Sequence, residues 1–205
     1  MVCELSDLQR DALCELFNLG VGRAAHSLSQ MVQDEIQLMA PVIDLVRACE
    51  VMQALLGADF KEFSLVTIDF SGSFMAKAIL IFPERNALAI VGSLLAPDLT
   101  PEEVSEFEQE AMCEIGNVIL NACMSAVADE FGITLFGSLP EHYFSDTQAM
   151  RLFAEDDERL VLLLRIQLVI DQRRIQGQLV LLLSIDSFQA LCNHLDTYLT
   201  RLGIA

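Results

Sequence analysis

Ala12-Leu13-Cys14-Glu15-Leu16-Phe17-Asn18-Leu19-Gly20 and Ala111-Met112-Cys113-Glu114-Ile115-Gly116-Asn117-Val118-Ile119 are the two stretches on which the reading of this chain turns. They carry Ala, Cys, Glu and Asn in the same register at an offset of 99, and that offset also takes Pro41 to Pro140 without a gap. Self-similarity at a fixed period marks a chain built from copies of one unit. Apolar residues recur around both stretches at three- and four-residue spacing, through Ala12, Leu13, Leu16, Gly20, Ala24 and Leu28 in one and Ala111, Met112, Ile115, Ile119, Cys123 and Val127 in the other. This is the stripe of an amphipathic helix. Ser6-Asp7-Leu8-Gln9 and Thr100-Pro101-Glu102-Glu103 read as capping boxes at the two starts, the second with proline at the first helical position.

Outward from these helices the halves continue alike. Each passes into an extended segment that reaches its proline, Ile36 to Pro41 and Ile133 to Pro140. In the first half Asp44 to Leu56 reads as a short helix, and Leu65 to Phe70 and Phe74 to Phe82 read as strands joined at Ser71-Gly72-Ser73. The second half answers with strands at Arg159 to Ile170 and Arg174 to Leu183. Closing helices are expected over Glu84 to Leu95 and Asp186 to Leu202, and Ala96-Pro97-Asp98-Leu99 between the halves is only a turn. Each half is too small to bury a sheet by itself. The expected fold is therefore α/β (α+β) and internally duplicated. Repeats over about residues 5–96 and 100–203, related by a pseudo-two-fold, form one sheet-and-helix domain over residues 1–205.

With 53% hydrophobic and 20% charged residues, the chain has apolar surface enough for a sizeable core. Its 12 Lys and Arg against 30 Asp and Glu leave a formal charge of −18, which repels phosphate backbones and anionic headgroups, so neither nucleic acid nor membrane is an expected partner. Continuous apolar runs such as Leu160 to Leu164 are short beside the ~20 residues of a membrane span, and Met1 to Asp7 lacks the pattern of a signal peptide; a cytoplasmic location is expected. The six cysteines form no Cys-x-x-Cys pair and, with three scattered histidines, no zinc or redox constellation.

On a helix Glu15 and Asn18 share a face, with Asp11 one turn earlier, and the trio lies nearly opposite Leu13, Phe17, Gly20 and Ala24. Glu110, Glu114 and Asn117 repeat the arrangement opposite Met112, Ile119 and Cys123. A lone Glu-x-x-Asn is an ordinary solvated helix face. Asparagine, however, is a mediocre helix former, and its presence mid-helix at both equivalent positions, three after Glu and 23 before Pro, points to use.

Asp11-x3-Glu15-x2-Asn18-x22-Pro41 and Glu110-x3-Glu114-x2-Asn117-x22-Pro140 resemble the signature of the CheC/CheX/FliY family of chemotaxis phosphatases, which act on the phosphorylated response regulator CheY. The flanks Asn18 to Ala25 and Glu114 to Ala122 resemble the two family helices, and the two-motif layout is similar to CheC within the family. Two departures stand out. Glu110 takes a place where Asp or Ser is usual, and Phe17 takes one where Gly is common. A ring packed inward with Leu13 and Gly20 would leave both sites competent, whereas one turned partly outward would hinder the first while small Gly116 leaves the second open; the second site is expected to be the more active.

The resemblance implies a phosphatase of receiver aspartyl phosphate, with Asn18 and Asn117 orienting the attacking water and Glu15 and Glu114 pairing with the receiver's lysine. Asp11, Glu110, Pro41 and Pro140 support the motifs. It implies no cofactor of the chain's own, Mg²⁺ being expected in the partner receiver; the internal duplication already supplies a pseudo-two-fold, so a monomer is expected. The partners it implies are a phosphorylated CheY-like receiver and, in the alternative of a non-catalytic adaptor, a receiver or a CheD-type deamidase. A flagellar-switch scaffold related to the middle domain of FliM has no need of the polar pairs. His26, His142, Tyr143, His194, the acidic run Glu155 to Glu158 and the cysteines Cys14 and Cys113 form no recognisable motif and read as incidental.

Overall fold

The computed structural model describes residues 4–32, 35–48, 50, 63–95, 101–144, 159–170 and 173–204. Helix α1 spans Asp7–Val32 and opens on the expected capping box, Ser6 N donating to Gln9 Oε1 at 2.9 Å and Gln9 N to Ser6 Oγ at 3.2 Å. Strand β1 (Ile36–Arg47) follows, then β2 (Phe63–Gly72), β3 (Ala76–Pro83) and helix α2 (Glu84–Leu95). The second half runs through α3 (Pro101–Phe131), β4 (Leu135–Gly137), β5 (Glu141–Phe144), β6 (Leu160–Ile170), β7 (Arg173–Leu183) and α4 (Ile185–Arg201). Ser184 caps α4 by accepting from Ser187 N at 3.1 Å, and Phe188, Leu191, Leu195 and Leu199 form its buried stripe.

The seven strands make one antiparallel sheet in the order β1-β6-β7-β3-β2-β4, with β5 also on β2. This order reads the same from both ends when each strand is exchanged for its counterpart in the other half of the chain. Neither half owns a complete sheet: β1 pairs with β6 of the second half, and β4 and β5 pair with β2 of the first. Both prolines interrupt these edges. Pro41 lies in β1 where the register shifts between Met39 and Val42, and Pro140 lies between β4 and β5. A residue with no N–H to give the ladder belongs at an edge or a bulge. The bulge also corrects the short helix expected from Asp44. Pairing with β6 resumes at Val42 and carries the strand on to Arg47, helped by the Arg165–Asp44 ion pair at 3.2 Å. Helical residues begin only at Ala48, and residues 49 and 51–56 of that expected helix lie outside the described ones.

Both faces of the sheet are buried at its centre, which is why residues 78–82 of β3 and 160–164 of β6 read as continuous apolar runs rather than alternating ones. One face, with Val66, Ile68, Leu80, Leu164 and Leu179, packs under the helices; the other clusters Leu65, Ile79, Ile81, Leu163 and Val180. Helices α1 and α3 lie against each other. A Cβ on Gly20 would fall 2.5 Å from Cys123 Cα, so glycine lets the two backbones touch. The stretch Phe107–Phe131 of α3 is long and apolar enough to cross a membrane by composition, contrary to the expectation from short runs. Most of it is buried in the protein, where Met112, Ile119, Leu120 and Val127 belong to the core.

Candidate functional site

The helical period decides what each motif residue faces. On α1, Leu13, Leu16, Phe17 and Gly20 are buried while Asp11, Glu15 and Asn18 are exposed. On α3, Met112, Ile115, Gly116 and Ile119 are buried, Glu110 and Glu114 are exposed, and Asn117 is half-buried. Three of the four principal side chains thus stand in solvent as expected. The expectation of full exposure fails for Asn117, whose carboxamide oxygen accepts from Asn121 Nδ2 at 2.8 Å. The same Nδ2 reaches the Asn117 carbonyl oxygen at 2.9 Å. Glu15, Asn18 and Glu114 have no hydrogen bond or ion pair among the described residues.

Phe17 takes the inward alternative, and the expectation that Gly116 opens the second site is corrected. Phe17 is 1% exposed, so its ring is core and does not crowd Asn18. Gly116 also faces inward: a Cβ there would meet Val66 Cγ1 at 2.5 Å, so the glycine seats α3 on β2 and leaves no opening for a partner. Position 17 and position 116 are one helical step before the amide, about 100° around the axis from it. The ranking of the two sites by outward bulk therefore loses its basis.

Large apolar side chains frame the exposed acids at matching places. Leu8 and Phe107 are 40% and 46% exposed one turn before Asp11 and Glu110, and Leu19, 42% exposed, adjoins Asn18. Carboxylates ringed by apolar groups can dock a surface that offers a cation within an apolar border. An open hollow bordered by Asp69, Met75, Lys77, Phe136 and Ser138 lies elsewhere, and none of the motif residues lines it.

The remaining polar candidates are accounted for by packing. Burial pushes the thiols of Cys14 and Cys113 up, so neither is an activated nucleophile. His26 is exposed and bonds Gln30 at 3.1 Å. His142 bonds Ser64 Oγ at 2.7 Å, and burial lowers its pKa toward the neutral ring. Tyr143 donates to Glu141 at 2.6 Å, and His194 stacks on Phe131. Residues 155–158 lie outside the described residues. Among the described residues no group of three or more His, Cys, Asp or Glu side chains is placed to hold a metal ion.

Sequence reasoning passed over Asn121, although its signal was present. It is another asparagine in a helix interior, four residues after Asn117, where its side chain can bond the preceding turn.

No family model matches the chain. The CheY-P phosphatase CheC of Bacillus subtilis (strain 168) is 26% identical over 140 residues, which cover 67% of this chain and 66% of that relative. The match thus spans just under two thirds of the relative's length. Thermotoga maritima FliY superposes with a TM-score of 0.75 at 17% identity, over 96% of this chain and all of that one. The FliM middle domain of H. pylori gives 0.67 at 9% identity over 93% and 99%. CheX, in the CheX-CheY-BeF3-Mg+2 complex from Borrelia burgdorferi, gives 0.50 at 16% identity over 83% and 97%. One antiparallel sheet carrying two adjoining long helices defines a CheC-like fold. With the Glu-x-x-Asn pattern on both helices and the CheC match, the chain is similar in sequence and in fold to the CheC/CheX/FliY proteins.

Proposed function

We propose that the chain is a phosphatase of a phosphorylated CheY-type receiver. The observation that carries this is the pairing of Glu and Asn one turn apart on the outer faces of two adjoining helices, in a chain similar to a CheY-P phosphatase. A receiver aspartyl phosphate lies beside the receiver's own Mg²⁺ and lysine, so the phosphatase needs only to place water in line with the scissile bond. An amide is suited to holding that water, because its oxygen accepts a hydrogen bond, its NH₂ donates, and it carries no charge to repel the phosphoryl group. Glu15 and Glu114 anchor the receiver's lysine, and Asn18 and Asn117 hold the water. Asp11, Glu110, Pro41 and Pro140 shape the helix faces and the edges beside them. The only metal in this reading is the receiver's Mg²⁺. The mirrored strand order supports a duplicated unit that brings two such sites into one monomeric chain.

The test is phosphate release from a purified receiver domain phosphorylated at its aspartate. The double variant Asn18→Ala, Asn117→Ala is expected to lose about 100-fold of the stimulated rate, equal to about 2.7 kcal/mol of barrier. Its melting midpoint falls only modestly, because Asn18 is exposed and Asn117 gives up one side-chain hydrogen bond, worth about 1 kcal/mol. The likeness to the FliM middle domain favours a second reading, in which the same face docks a receiver or a CheD-type deamidase without hydrolysis. Undiminished release with retained receiver binding in the double variant selects that reading.

A further inference from the structure

We infer that Asn121 is the positioning residue of the second site and that the first site has no equivalent. This rests on the reading of Asn117 as a water-orienting amide. Asn121 Nδ2 spans the Asn117 carboxamide oxygen at 2.8 Å and the Asn117 carbonyl at 2.9 Å, fixing the Asn117 side chain to its own helix. Asn121 is itself confined: it is half-buried, and a Cβ on Gly137 of β4 would stand 3.1 Å from Asn121 Oδ1, so the glycine leaves room for this carboxamide. The chain from β4 through Asn121 to Asn117 thus sets which way the reacting amide faces. One lone pair of Asn117 Oδ1 remains for water, and its NH₂ points away from the bonded oxygen. An amide that accepts through oxygen also donates more strongly through nitrogen.

The 99-residue offset takes Asn121 to Gly22, which has no side chain; Asn18 beside it is exposed and without a hydrogen-bonding partner among the described residues. Gly22 is exposed and a Cβ there would meet nothing within 4 Å, so a side chain can be introduced at this position. The second site therefore holds its amide before the receiver arrives, whereas the first must order it on docking. Ordering one side chain on binding is worth about 3- to 10-fold.

The experiment is made in single-site backgrounds with the phosphorylated receiver. In the Asn18→Ala background, Asn121→Ala is expected to lower kcat/KM about 3- to 10-fold, because the freed amide must then be ordered on docking. In the Asn117→Ala background it changes nothing. Gly22→Asn in the Asn117→Ala background is expected to raise the remaining rate by a similar factor, a gain that a merely structural residue would not produce. Side-chain ¹⁵N relaxation supplies a readout that needs no activity. The Asn117 NH₂ is rigid and the Asn18 NH₂ mobile in the parent protein, and Asn121→Ala makes Asn117 as mobile as Asn18. A rigid Asn117 in the Asn121→Ala variant, or an equal rate loss from Asn121→Ala in both backgrounds, overturns the inference. Should Asn117→Ala slow release while Asn121→Ala does not, only the positioning role falls. Unchanged release in Asn18→Ala, Asn117→Ala removes the underlying function, and the positioning role with it.

Discussion

The two Glu-x-x-Asn helices follow one pattern outward and two different patterns inward. At equivalent places α1 has Phe17 and α3 has Gly116, α1 has Gln9 and α3 has Glu108, and α1 has Gly22 and α3 has Asn121. Phe17 fills core volume beneath α1, whereas Gly116 lets α3 settle onto Val66 of β2. The outward Glu and Asn positions match on the two helices, while each helix keeps its own distance from the sheet. The flanks diverge because the two helices cover different parts of the sheet.

The largest effects expected from this comparison are on stability. Truncating the fully buried ring in Phe17→Ala should cost about 3–5 kcal/mol, as for a large core aromatic. Gly116→Ala should cost about 1–3 kcal/mol, because the new Cβ forces Val66 aside. Urea midpoints of the two variants measure both. A loss below about 1 kcal/mol for Phe17→Ala would mean that the ring is not a structural support of α1.

The next contrast is between Gln9 and Glu108. Gln9 closes the capping box of α1 and donates to Asp196 at 2.7 Å. Glu108 is 2% exposed, its Oε1 has no hydrogen-bond partner among the described residues, and burial, with the Glu84 carboxylate adding to it, raises its pKa. Below the ordinary carboxylate pKa of about 4, folded and unfolded chains both hold the proton and Glu108 behaves as a glutamine does. As pH rises past that value the unfolded chain ionises first, which draws the equilibrium away from the fold; once the folded group ionises too, the penalty is constant. Glu108→Gln should therefore match the parent in acid and exceed it in stability with rising pH, levelling off above the folded pKa. Urea titrations from acid to neutral pH check this, and a parent protein that outlasts the variant at neutral pH would show that the ionised carboxylate is compensated.

The helices and central strands were legible because their signals are local. The capping box at Ser6, the apolar periods of α1 and α3 and the turn around Gly72 each specify their element without help from the rest of the chain. The second half of β1 was not legible, since Asp44 to Arg47 are strand only because β6 lies alongside. Pairing across the halves is a property of the whole sheet. The outward acids could be read from the helical period, but the half-buried state of Asn117 could not, because it depends on one side-chain bond from Asn121 and on the space that Gly137 leaves beside it. For Phe17 the helical period left inward packing with Leu13 and Gly20 open, and the buried ring takes that alternative.

The smallest effect separates the two sites directly. With Phe17 in the core, no outward bulk distinguishes them, and what remains is whether the amide is held before docking. If the second site is about 3- to 10-fold faster for that reason, the parent rate is dominated by it. Asn117→Ala then leaves about 10–25% of the stimulated phosphate release, and Asn18→Ala leaves about 75–90%, since each variant retains only the other site. Equal halves would show that an amide free to turn finds its orientation at no kinetic cost once the receiver docks. A greater loss from Asn18→Ala would show that the bond to Asn121 holds Asn117 back from the water, and that full exposure matters more than a fixed orientation.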